Sequence, residues 1–260
     1  MTNYLIPLRI LLFGLALFAG LPVLAQSPPE SAGPNINLVR EAAGRYLYRT
    51  LSDGRERGRE QFQLLVHPDG SRTLMIWHDL WARDAQFTVV LRVAASFRPL
   101  NAFASYWVAN GYKGSATFNV QGNHLTAIAT GPGGQLTQDI EVPEHFSIGT
   151  HPVSGDGWHL WYAQPADSKE TRMINLYSLE ATADIDKPPL GTLVPMPYEI
   201  VGDETITTPA GEFATTHYRL AGSSDLWVSG PDRLMVRMIQ EKFDREYLLV
   251  DYSAKDWSSQ

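Results

Sequence analysis

At 260 residues and 29.0 kDa the chain has the length of one large β-sandwich or barrel. It is 44% hydrophobic and 19% charged, a balance that buries a full core and excludes a disordered protein. The net charge of −7 leaves no basic excess for neutralising phosphates, which argues against nucleic-acid binding by counterion release. The absence of cysteine excludes disulfides, thiolate metal sites, iron–sulfur clusters and cysteine nucleophiles.

The first 25 residues read as a secretory signal peptide. Arg9 is their only charge, an apolar run extends from Ile10 to Leu21, and Val23-Leu24-Ala25 offers small residues for cleavage before Gln26. A retained anchor is the competing reading, but the run falls short of the roughly 20 residues of a spanning helix, and Gly14, Gly20 and Pro22 weaken it. The expected product is exported, periplasmic or secreted, and soluble. Residues 26–34 (QSPPESAGP) form a polar, proline-rich lead, and residues 35–260 a single antiparallel β domain.

Asn35–Ala43 is predicted as a short helix with Asn37 as N-cap. From Gly44 the period becomes two: strands are predicted over Gly44–Leu51, Glu60–His67, Arg72–Asp79 and Gln86–Ala94, with Asp53-Gly54 and Asp69-Gly70 as turns. Tyr112–Val120 alternates apolar with polar residues, between the turn pairs Asn110-Gly111 and Gly122-Asn123, and His124–Thr130 and Gln135–Val142 continue the meander. Glu144–Gln164 breaks the pattern with three histidines and two tryptophans, and is expected to cross the sheet as a loop and short helix. The proline-rich stretch Asp184–Pro197 separates it from a last block of strands: Tyr198–Thr208, Glu212–Leu220, Asp225–Ser229, Leu234–Gln240 and Arg245–Tyr252. The class is all-β with one or two short helices. About eleven to thirteen strands exceed one flat sheet, so the sheet should curl into a barrel, half-barrel or lipocalin-like cup.

In the last block, Thr208-Pro209-Ala210-Gly211-Glu212-Phe213 precedes His217-Tyr218-Arg219-Leu220, Leu226-Trp227-Val228-Ser229 and Tyr247-Leu248-Leu249. This block resembles the exported bacterial family known as domain of unknown function 3108, which carries a T-P-A-G-x-F hairpin and a following strand centred on tryptophan. The resemblance implies a large curved antiparallel sheet similar to that of periplasmic lipoprotein-carrier proteins, which hold acyl chains in a concave face. It implies no catalytic residue.

Two constellations could carry chemistry. In Trp77-His78-Asp79-Leu80-Trp81 a continuing strand sends Trp77, Asp79 and Trp81 to one face and His78 to the other, so His78 and Asp79 are adjacent without forming a dyad. The functional reading is an acid or base between indole walls; the plainer one is a core tryptophan pair beside a charged turn. In His151–Tyr162, a helix would bring Asp156 within reach of His159 and put Trp158 with Trp161 on one face. His159 could then act as a general base, with His151, Trp158, Trp161 and Tyr162 lining a ligand site. In the alternative, Asp156 caps the helix, the tryptophans pack on the sheet and His159 is solvated.

No metal-ligand spacing, P-loop or nucleophile elbow occurs, and no cofactor is expected. Seven tryptophans also admit sugar stacking, although contexts such as Leu226-Trp227-Val228 read as core. The leading expectation is an exported binding module cupping an apolar small molecule or lipid. A cofactor-independent lyase, isomerase or hydrolase using His159 with Asp156, or His78 and Asp79, is the alternative. An envelope structural or assembly protein making transient protein contacts is the second.

Overall fold

The computed structural model describes residues 38–163, 172–180 and 182–257. The expected signal peptide, the proline-rich lead and the predicted N-cap Asn37 lie outside the described residues. Fifteen strands follow in chain order. The first eight are β1 (Arg40–Thr50), β2 (Glu56–Val66), β3 (Arg72–Leu80), β4 (Ala85–Val93), β5 (Pro99–Val108), β6 (Gly111–Gln121), β7 (His124–Gly131) and β8 (Gly134–Glu141). The others are β9 (Ser147–Gly149), β10 (Arg172–Leu179), β11 (Gly191–Thr208), β12 (Gly211–Leu220), β13 (Ser224–Ser229), β14 (Leu234–Gln240) and β15 (Arg245–Asp256).

They form one sheet in the order β8-β7-β6-β5-β4-β3-β2-β1-β15-β14-β13-β12-β11-β10-β9, antiparallel except for the β9–β10 pair. Two meanders are thus joined where β1 pairs with β15, from Arg40 opposite Asp256 to Thr50 opposite Arg245. The ladder does not close. Instead the sheet curls until side chains of its two halves meet: the Tyr177 hydroxyl donates to Gln138 Oε1 at 2.5 Å, and Gln138 Nε2 donates to the Gly191 carbonyl at 3.1 Å. The Phe118 and Tyr177 rings lie 5.8 Å apart across the same gap. A strongly twisted sheet of this width has to curl, and curling buries one complete face of alternate residues.

Several sequence expectations are corrected. Residues 40–43 are strand rather than helix, because Ala42 shares the inward parity of Tyr46 and Tyr48 and the segment is hydrogen-bonded on both sides. β5 and β10 went unrecognised, and β11 begins inside the proline-rich stretch at Gly191. Pro195 and Pro197 lie in β11 opposite Asn175 and Met173. The apolar alternation of β6 holds at Ala116 and Phe118, but a bulge after Tyr106 changes its register and turns Lys113 inward, where the ammonium donates to the Asp184 carbonyl at 2.7 Å. The Thr208–Gly211 hairpin forms as expected, with Gly211 at φ +134°.

The crossing segment is a 3-10 helix, Val153–Leu160, and all of it except Asp156 is buried. It runs through the concave side of the sheet and plugs it. Gly157 is required there, since a Cβ would stand 2.1 Å from the Arg233 carbonyl oxygen. Trp158 is fully covered and donates from Nε1 to the Asp232 carbonyl at 2.9 Å.

Candidate functional site

The plug docks on a cross-strand row that the strand parity sends inward: Tyr46, Glu60, His78, Phe87 and Tyr106, each directly opposite the next on β1 to β5. Glu60 is fully buried. Its carboxylate accepts the amides of Val153 and Ser154 at 2.8 and 2.9 Å and the hydroxyl of Tyr48. Burial pushes the Glu60 carboxyl up to about 7, although these three donors favour its ionised form. Further along the row His151 stacks on Phe87 with 4.7 Å between centroids, and Tyr106 donates to the Thr150 carbonyl at 2.7 Å.

His78 points inward, as its parity requires, and lies 5.6 Å from the His151 ring. Neither of its nitrogens has a partner among the described residues, and burial drives it down to about 2 and His151 down to about 4. Both are neutral rings in a packed aromatic layer, a poor setting for an acid or base. Asp79 is on the opposite face, so the two never meet.

The Asp156–His159 contact forms as expected, with Oδ1 3.2 Å from His159 Nε2; the 3-10 repeat places residues three apart directly above one another. The other ring nitrogen of His159 lies 2.7 Å from Ser147 Oγ on β9. This Ser–His–Asp relay is covered: His159 and Ser147 are buried, contrary to the solvated reading of His159. Trp161 donates to the Phe146 carbonyl at 3.0 Å and Tyr162 accepts from the Asn175 amide at 2.7 Å, so both close the end of the plug. A space of only about 10 Å³ lies where Ser154 and Trp158 face Phe62, Leu64 and Leu74, too little for a ligand.

Neither Trp77 in β3 nor Trp81, which opens the 3-10 turn after it, is core. Trp77 is 67% exposed and Trp81 46%, and Trp107 of β5, which sequence reasoning missed, is 52% exposed. All three stand on the convex outer face. They border a groove of about 580 Å³ that is also lined by Arg59, Gln61, Asp79 and Gln86. Cross-strand register assembles it: Gln61 faces Trp77 and Trp77 faces Thr88, while Asp79 faces Gln86 and Gln86 faces Trp107. A second groove of about 430 Å³ adjoins it, sharing Trp77, Gln61 and Thr88, and adds Ala43, Met75 and Val90. Its lining is mostly apolar because the outward residues of the next row are Met75, Val90 and, beyond the groove, Phe103, each opposite the next. Among the described residues no cluster of histidine and acidic side chains has the makings of a metal site.

No protein-family model and no curated protein matches the chain. A solved structure does resemble it: a beta-barrel-like protein of domain of unknown function DUF1849 from Brucella abortus, 9% identical, with a TM-score of 0.52 over 84% of this chain and 98% of that one. The likeness is one of fold.

Proposed function

We propose that the chain is an exported binding module for a lipid-like ligand, and that the ligand docks on the outer face of β1–β4 instead of in the concave interior. The observation that carries this reading is the apolar groove at Met75, Trp77 and Val90, open to solvent on a face where strands of a water-facing sheet ordinarily present polar residues. A cup form of the same function asks the Val153–Leu160 segment to leave, breaking the bonds to Glu60 and uncovering Trp158 and Leu160. The outer groove asks nothing to move.

The test is fluorescence of a polyene fatty acid probe. Met75→Glu places a charge in the groove without touching the interior and should weaken probe binding about tenfold, since desolvating a carboxylate against an acyl chain costs more than 1.4 kcal/mol. Glu60→Gln should leave binding unchanged. The reverse pattern would move the site to the interior and restore the cup.

A hydrolase is the second reading, favoured by the Ser147–His159–Asp156 relay. Its nucleophile meets no substrate while the plug is seated. Release of product from a panel of acyl esters, abolished in Ser147→Ala, would establish it.

A further inference from the structure

We propose that the tryptophan groove beside the apolar one binds sugar rings, so that the ligand is a glycan or the saccharide part of a glycolipid. This rests on the outer-face reading above and names what occupies its second half. A pyranose presents an apolar face of C–H groups and a rim of hydroxyls. Its receptor therefore needs flat aromatic faces with donors and acceptors between them, and this groove has that composition.

Trp77 and Trp107 sit two strands and two residues apart, which puts their Cα atoms about 12 Å from each other, room for a short run of sugar rings between the indoles. Trp81 flanks them at the end of β3, held by its Nε1 bond to the Glu56 carbonyl and by the Arg59 guanidinium 5.9 Å over its ring. Tyr112, whose ring lies 5.1 Å from that of Trp107, continues the aromatic surface onto β6.

The polar groups between the indoles are unspent. Among the described residues, the side chains of Gln61, Asp79, Gln86 and Thr88 have no hydrogen-bond or ion-pair partner, although each lies within the groove. They offer amide donors, a carboxylate acceptor and a hydroxyl, the set a hydroxyl-rich rim would satisfy. Charge then selects among glycans and against other surfaces. Arg59, bonded to Glu56, also stands directly opposite Asp79, so the lining carries one charge of each sign and no net charge, which suits neutral or N-acetylated rings better than a polyanion. An acyl chain fits the adjoining Met75–Val90 groove better than this one, where polar side chains interrupt the aromatic surface.

The experiment uses the mature chain and titrates neutral oligosaccharides, of chitin, cellulose and maltose type, while following tryptophan emission and heat. At least one should bind and shift the emission. Trp107→Ala, which lies outside the apolar groove, should weaken that binding about tenfold while leaving fatty acid probe binding and the unfolding midpoint unchanged. Asp79→Asn leaves the Arg59 charge alone in the lining and should keep neutral sugar binding while raising the affinity for a uronic acid oligomer. Absence of binding by every oligosaccharide while the fatty acid probe still binds would overturn the sugar assignment and leave the lipid-like reading standing. Failure of both probes would remove the outer-face site altogether. Tryptophan-dependent binding to zwitterionic vesicles with no sugar response would assign the groove to a membrane surface.

Discussion

Glu60→Gln tests whether the plug is docked on a buried carboxyl that changes charge near neutrality. The folded state holds this group at about 7 against an ordinary value of 4.5. Between those values the folded protein keeps a proton that the unfolded chain has released, so the Glu60 contribution to stability is full in acid and is lost as the pH rises through about 7. At about 1.4 kcal/mol per pH unit the whole effect is about 3 kcal/mol, of which roughly 2.5 falls between about pH 5 and about pH 8. His78 and His151 act in the opposite sense, because they are held neutral and below their ordinary value. Below about pH 6.5 the unfolded chain takes up protons that they cannot, and stability falls toward acid. They remain in both proteins and cancel in the difference.

Glutamine keeps the shape but turns an amide N–H₂ toward donors that now lack an acceptor, which should cost about 1 to 3 kcal/mol where the parent carboxyl is neutral. Urea unfolding of parent and variant, followed by tryptophan emission, should therefore show the parent ahead at about pH 5 and its lead shrinking by about 2 to 3 kcal/mol at about pH 8. A lead that stays constant across this range, or widens with pH, would mean that the amides of Val153 and Ser154 outweigh burial and that the reasoning about Glu60 is wrong.

Gly157→Ala drives a methyl into the Arg233 carbonyl at 2.1 Å and should destabilise by about 2 to 4 kcal/mol, lifting the plug's contacts first, so that hydrogen exchange at Trp158 and Leu160 accelerates more than in β2 or β3. Gly211→Val forces a β-branched residue to φ +134° and should lower stability by about 1 to 3 kcal/mol in a denaturant titration, with no loss of fatty acid probe binding. N-terminal sequencing of protein recovered from the producing cells should begin at Gln26 or within about two residues of it, and an uncleaved chain in the membrane fraction would reject export by a cleaved signal.

Strand period, turn pairs and parity were sufficient to read most of the β elements, the Thr208–Gly211 hairpin and the opposite facing of His78 and Trp77 directly from the residues. The Asp156–His159 pair was legible too, because spacing alone decides which residues stack along a helix. Glu60 could have been found: it shares the parity of Phe62, Leu64 and Val66, and a carboxylate at an apolar position announces a buried partner. Two of its three donors are backbone, the amides of Val153 and Ser154 beside the Tyr48 hydroxyl, and backbone carries no mark in a sequence. Alternation separates two faces of a strand without saying which one the sheet will curl around, which is why the core reading of Trp77 and Trp81 stood beside the indole-wall one until both proved exposed, and why Trp107 passed unnoticed. Only the tertiary structure decided that side, together with the pairing of β1 with β15 from opposite ends of the chain and the filling of the concave face by Val153–Leu160. Ladder hydrogen bonds are nearly indifferent to side-chain identity, so the local pattern determines what can be a strand, while the neighbours it finds and the face it buries follow from how the whole apolar surface is best covered.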